Sequence, residues 1–222
     1  MPSSRPTPSP ITAATPLASV APRPTETETP PQPPAKPLYV VAIGASAGGL
    51  DALEKLFASL PADCGAAFVV IQHLSPDHKS MMASLLARHT RMPVVMVEED
   101  LPIVPNQVFL IPPGSIMHMD GRLLRLTPKN PRTLTLPIDV FFQSLATHHG
   151  DHAVGVVLSG TGSDGTRGAG AINEAGGFLL AQDPENAKFD GMPRSVIATG
   201  LVDAILPVEV MAQRIVAHIT NQ

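Results

Sequence analysis

Three short stretches of this sequence carry residue types that could act together on a carbonyl carbon. The first is Gly44-Ala45-Ser46-Ala47-Gly48-Gly49. It fits the pattern G-x-S-x-G, whose small neighbours let the chain turn sharply and project the serine oxygen between a strand and a helix. Backbone N–H groups at the start of that helix, around Ala47 and Gly48, could then stabilise a developing oxyanion. The same glycines also suit a dinucleotide-binding turn, or a turn with no chemistry. A dinucleotide site calls for a ribose-binding acid near the end of the second strand, and the sequence has Gln72-His73 there. His73 supplies a base, although a histidine without a partner is the plainer reading of that position. The third stretch is Leu158-Ser159-Gly160-Thr161-Gly162-Ser163-Asp164-Gly165. Asp164 could fix an imidazole tautomer, or simply cap the helix that follows.

The elements that must position these residues are legible from apolar patterning. LYVVAIG (38–44), AFVVIQ (67–72) and PVVMV (93–97) read as buried strands, with amphipathic helices at about 49–60 and 77–89. Such alternation implies parallel strands joined by crossover helices. The rhythm then breaks: QVFLI (107–111), SIMHM (115–119) and RLLRL (122–126) read as short antiparallel strands, with a turn at Asp120-Gly121. It resumes with a helix at about 138–149, a strand at 153–159, a Gly-rich helix at 164–175 and the strand FLLA (178–181). A short helix after Pro193, the strand DAIL (203–206) and a helix from Pro207 follow. The expected fold is therefore α/β: a doubly wound, mostly parallel sheet, helices on both faces and an antiparallel hairpin excursion. Ser46, His73 and Asp164 each follow a strand, so all three belong to the C-terminal edge, where open α/β sheets bind ligands.

Composition narrows the function classes. The formal net charge is −4, Trp is absent and there is one Tyr, so no basic stripe or stacking platform for nucleic acid is present. The single Cys64 cannot pair within the chain, which suggests a reducing, cytoplasmic compartment. No run approaches the ~20 apolar residues of a membrane span, and the weak apolar start is broken by Pro16 and Pro22, so neither membrane insertion nor an export signal is expected. Of the 25 prolines, 12 lie within residues 1–37; that segment reads as a disordered Pro-rich tail or spacer, ahead of one catalytic domain at 38–222.

Four motifs together, GASAGG (44–49), QHLSPDHKS (72–80), LSGTGSDG (158–165) and FDGMPRS (189–195), resemble the chemotaxis protein-glutamate methylesterase (CheB-type) family. The wording is similar above all to the methylesterase part of methylesterase/methyltransferase fusion proteins. The resemblance covers roughly residues 39–219. It implies hydrolysis of glutamate γ-methyl esters on chemoreceptor proteins for chemotaxis adaptation, with glutamine deamidation as a companion activity. Ser46 would be the nucleophile, His73 the general base and Asp164 its orienting acid. Ala47, Gly48, Thr161, Gly162, Met192 and Arg194 would border the oxyanion and the substrate. The implied partners are methylated cytoplasmic receptor helices, with a separate regulator or methyltransferase as a further one; no cofactor or metal is implied. A non-catalytic receptor- or nucleotide-binding domain is the alternative.

The chain departs from the family's usual pattern in several places. Family members commonly carry a receiver domain upstream, and residues 1–37 lack the apolar periodicity of one. Ala47 stands where many members have Thr, Thr161 where many have Met, and residues 126–137 lack a common Arg-rich form. Among weaker candidates, His148, His149 and His152 straddle a helix end and should be exposed. Met81, Met82, Met92 and Met96 read as core filler. Asp139 reads as a helix cap, and Arg194 could meet acidic receptor surface.

Overall fold

The first strand explains how the sheet is built. In β1 (Val40–Ala45) every residue is buried, yet successive side chains point to opposite faces. Val41 and Ile43 join one apolar cluster and Val40 and Ala42 the other. A strand with no polar face must be covered on both sides, and this one is. The computed structural model describes residues 37–73, 81–130 and 132–221. The Pro-rich segment before Pro37 and the first part of the helix expected at 77–89 lie outside the described residues.

After β1 come α1 (Gly49–Ser59), β2 (Ala67–Gln72), α2 (Met82–Leu86), β3 (Val94–Met96) and the two-residue β4 (Leu101–Pro102). β5 (Gln107–Leu110), β6 (Ser115–Asp120) and β7 (Leu123–Pro128) precede α3 (Pro137–His149). A 3-10 turn leads into β8 (Ala153–Val157), α4 (Thr166–Glu174), β9 (Phe178–Gln182), α5 (Gly191–Ile197), β10 (Ala204–Leu206) and α6 (Val208–Thr220). Seven strands form one sheet in the order β10-β9-β8-β1-β2-β5-β3, and every pair in it is parallel. α1, α2 and α6 cover one face, where Leu53, Leu56, Phe57, Leu86 and Ile215 are buried. α3, α4 and α5 cover the other, together with a small antiparallel sheet of order β4-β7-β6. Each fully buried Leu or Phe in these layers contributes roughly 1.5–3 kcal/mol relative to exposure.

The doubly wound expectation holds, with three corrections. QVFLI is not part of the antiparallel group: β5 lies between β2 and β3 and is parallel to both. The link from β3 to β5 crosses over through β4, which pairs with β7 instead of forming a helix. Second, the hairpin pairs Asp120 with Leu123, so its two loop residues are Gly121 and Arg122, one position later than expected. Third, α5 begins at Gly191, ahead of Pro193 rather than after it. Met82 and Met92 are buried as expected, whereas Met81 is exposed. His149 and His152 are half-buried, not exposed.

From β1 the chain builds outward on one side through β2, and later on the other through β8, β9 and β10. The crevice between the ends of β1 and β8 is thus the point where strand order reverses, the usual ligand position in open α/β sheets.

Candidate active site

Ser46, His73 and Asp164 meet at that reversal point. Ser46 follows β1 directly, His73 follows β2, and Asp164 lies in the loop between β8 and α4. β1 and β2 pair in register, with Ala45 opposite Gln72. The next residue of each strand therefore emerges beside the other. The Ser46 hydroxyl lies 3.3 Å from His73 Nδ1, and His73 Nε2 lies 2.6 Å from Asp164 Oδ2. The Asp164 carboxylate is almost fully buried, and the imidazole about one-third exposed. A carboxylate only accepts, so Nε2 carries the ring proton and donates it to Asp164. That leaves the Nδ1 lone pair facing Ser46 as the acceptor for its O–H. The serine–imidazole contact is long, as such contacts commonly are before substrate arrives.

The buried carboxylate is held from a second direction. Ile138 N–H donates to Asp164 Oδ2 at 3.1 Å and Asp139 N–H donates to Oδ1 at 2.9 Å. These amides belong to the first turn of α3, where N–H groups have no partner within the helix and the dipole favours negative charge. Pro137 opens that turn, a position where its missing N–H costs nothing. Asp139 is a helix cap, as the sequence suggests, but of the neighbouring helix. Its Oδ1 accepts from Gly168 N–H in the first turn of α4 at 2.9 Å.

The turn at Ser46 is braced by groups that sequence reasoning missed. Ser46 N–H donates to Ser159 O, and Gly49 N–H returns to Ser46 O. The Ser159 hydroxyl donates to Ala47 O and accepts from Phe189 N–H, both at 2.9 Å. Ser159 N–H in turn donates to Oε1 of the buried Gln182 at 2.8 Å. Ser159 lies inside a recognised motif, but nothing in the sequence distinguishes it from a spacer. Gln182 carries a weak signal, a polar residue ending an apolar strand.

The remaining border residues take distinct places. Gly48 is left-handed (φ 71), and a Cβ there would come within 2.9 Å of Lys188, Phe189 and Ser159. Only glycine fits both demands. Gly160 has no room either: a Cβ would sit 2.2 Å from Met192 Sδ and 2.9 Å from Ser46 Cβ. Met192 is fully buried beneath it and donates its N–H to Gly160 O. Its side chain therefore supports the loop from below and is closed to a ligand. Thr161 and Gly162 are exposed on the same loop. Arg194 is exposed and bridges to Asp190 one turn earlier. Beside His73, a small cavity of about 60 Å³ is lined by Gln72, Ile111, Pro113, Lys129 and Pro137 among others.

Comparison with known proteins agrees with this geometry. The CheB methylesterase family model matches residues 41–215. A protein-glutamate methylesterase/protein-glutamine glutaminase of Burkholderia lata is 38% identical over 184 residues, 82% of this chain and 54% of that protein. One of Carboxydothermus hydrogenoformans is 35% identical over 187 residues, covering 81% of this chain and 55% of the other. A 104.1 kDa protein of Rhodobacter capsulatus is 62% identical over 128 residues, 58% of this chain but 13% of its own length. The chain thus spans about half the length of the methylesterases it matches, and less of the larger protein. Among solved structures, the CheB methylesterase catalytic domain of Thermotoga maritima superposes with a TM-score of 0.75 at 27% identity, covering 81% of this chain and 97% of that one. With its family model matched over almost the whole sheet and its Ser, His and Asp gathered at one strand-order reversal, this chain belongs to the CheB methylesterase family.

Proposed function

We propose that this domain hydrolyses glutamate γ-methyl esters on the cytoplasmic helices of chemoreceptors, with Ser46, His73 and Asp164 as its catalytic residues. The observation that carries the reading is the continuous chain of contacts from the Ser46 hydroxyl through His73 to a buried, doubly clamped Asp164. The names of the relatives supply the substrate class.

The steps follow from the geometry. Ser46 Oγ attacks the ester carbonyl carbon while His73 Nδ1 takes its proton. The imidazolium that forms is stabilised across the short contact to Asp164. The oxygen of the tetrahedral intermediate needs donors that nothing else uses. Among the described residues no partner takes the Ala47 or Thr161 N–H; Ala47 follows Ser46, and Thr161 follows Gly160, where a Cβ would lie 2.9 Å from Ser46 Cβ, so these amides are the proposed oxyanion donors. Collapse expels methoxide, which leaves as methanol with the proton from His73. Water, activated by the same base, then cleaves the acyl-serine and frees the glutamate carboxylate. A glutamine side chain could follow the same route with ammonia as the leaving group, in keeping with the paired names of the relatives.

A cytoplasmic setting fits a single unpaired cysteine, and no helix among the described residues is long and apolar enough to cross a membrane. A pyrophosphate reading of the Gly-rich turn has less support, because Lys188 and Phe189 pack against Gly48 where a phosphate would approach. The test is methanol release from methylated receptor membranes. Wild-type protein should release it and Ser46→Ala should not; equal release by the two would end the reading.

A further inference from the structure

We infer that Asp139 is a positioning residue of the triad: by capping α4 it locks the first turn of α3 in the register that aims Asp164 at His73. The inference rests on the triad reading above and deepens it. The hydrogen bonds of Asp139 run to Asp164 and Gly168 and not to His73 or Ser46, so its role is to place another residue.

The argument starts from what holds Asp164. Its carboxylate accepts three hydrogen bonds, from His73 and Ile138 on Oδ2 and from Asp139 N–H on Oδ1. A carboxylate bound only through Oδ2 could still rotate about its terminal bond, which is soft. The amide on Oδ1 removes that freedom. Where Oδ2 points is therefore decided by where the first turn of α3 stands.

Two contacts fix that turn. Ile138 fills the space beside Gly44 at the end of β1, where a Cβ would meet it at 2.6 Å. Asp139 reaches sideways to accept from Gly168 N–H at 2.9 Å. The result is a reciprocal exchange: Asp164, just before α4, caps the first turn of α3, and Asp139, in the first turn of α3, caps α4. The two helices approach closely here, since a Cβ on Gly168 would meet Asp139 O at 3.0 Å and Phe142 Cβ at 2.4 Å. With backbones so near, a shift of either first turn is passed to the other.

A plain stabilising cap does not account for all of this. Asp139 is buried, and among the described residues its enclosed Oδ2 has no hydrogen-bond partner, so a second carboxyl is held in an unfavourable place beside the triad acid. Burial, and then the nearby Asp164 charge, push its pKa up, against the pull of the backbone amides at the start of α4. A surface-type cap such as Ser would serve helix stability at less desolvation. What Asp offers here is a side chain long enough to cross between two helices.

The experiment compares wild type, Asp139→Ala, Asp139→Asn and Ser46→Ala in three readouts: methanol release from methylated receptor membranes, the rate of organophosphate labelling of Ser46, and the downfield proton resonance of His73 Nε2–H. Asp139→Ala should lower kcat about 10- to 100-fold, the scale of a misplacement near 1 Å, with KM within about twofold. Its labelling should slow by a similar factor and its downfield resonance should move or vanish. Asp139→Asn keeps an acceptor of the same length and should recover both rates to within about threefold of wild type, since Asn and Asp cap comparably. Folding is checked by circular dichroism. If the Ala variant does not fold, Asp139→Glu, which displaces the acceptor by one methylene, takes its place with the same expectation. A folded Ala or Glu variant with wild-type labelling and resonance overturns the inference, and so does an Asn variant as slow as Ala. If Ser46→Ala itself still turned over ester, the triad reading would have failed instead, so the two failures are distinguishable.

Discussion

The three residues proposed for chemistry share one trait: each follows a buried strand. That trait made Ser46, His73 and Asp164 legible, because strand ends can be read from apolar runs and parallel strands place their ends on one edge. The ring orientation was not legible. Here Nδ1 faces the serine and Nε2 the acid, and nothing in the order of residues chooses between the two nitrogens. Also hidden were the backbone donors from Ile138 and Asp139, since main-chain groups leave no mark in a sequence. The residue-scale prediction follows from the roles. Ser46→Ala and His73→Ala should each abolish methanol release while leaving the circular dichroism spectrum unchanged. Asp164→Asn should lower kcat by about 10³–10⁴-fold, because an amide in that place presents a donor to Nε2 or favours the wrong tautomer. A fall of less than about tenfold would show that Asp164 neither orients nor stabilises the imidazole.

At the scale of elements, the sequence pattern placed most strands and helices but misassigned β5. QVFLI is a short apolar run with no helix immediately before it and a hairpin immediately after it. Local pattern therefore groups it with the hairpin. In the fold the crossover from β3 to β5 is made by residues 97–106, with β4 in place of a helix. Periodicity does not report which sheet a two-residue strand will join. The bracing of the turn at Ser46 is likewise a long-range matter: Gln182 ends β9, two strands away from β1, and reaches Ser159 N–H after β8. Gln182→Leu is close in size but removes that acceptor, leaving a buried N–H without a partner. The expected cost is about 1–3 kcal/mol of stability. Because Ser159 O also receives Ser46 N–H, labelling of Ser46 should slow as well. Urea unfolding together with organophosphate labelling checks both parts; an unchanged midpoint would mean that Ser159 N–H finds another acceptor.

For the whole molecule, the burial of histidines away from the site sets a pH window for stability. His149 closes α3, and burial pushes its pKa below the ordinary 6.5. His218 on α6 stacks on Phe178 with centroids 4.1 Å apart; burial, then the neighbouring Arg214, lowers it from the same value. Among the described residues the buried Nε2 of each has no hydrogen-bond partner, and at His149 the Leu38 and Gly121 backbone groups, which favour the charged ring, are outweighed by burial. The unfolded chain takes up protons at these rings near 6.5, whereas the folded chain does so only at lower pH. Stability is thus intact above about pH 6.5 and is lost progressively as pH falls below it towards the depressed folded values. Asp139 acts with the opposite sign: its pKa is raised above 3.8, so its favourable share exists in acid and fades as pH rises through the folded value. Asp120 and Asp190 are held low by Arg125 and Arg194. Their support fades only as pH falls through values below 3.8, and both are exposed and screened. Between about pH 6.5 and the carboxylate range the histidines should therefore govern the slope. Measured by urea midpoint, stability should fall from pH 7.5 to pH 5.5, and His218→Phe, which keeps an aromatic ring against Phe178, should flatten that fall. A midpoint that stays level across this range in wild type, or an equally steep fall in the variant, would remove His218 from the account.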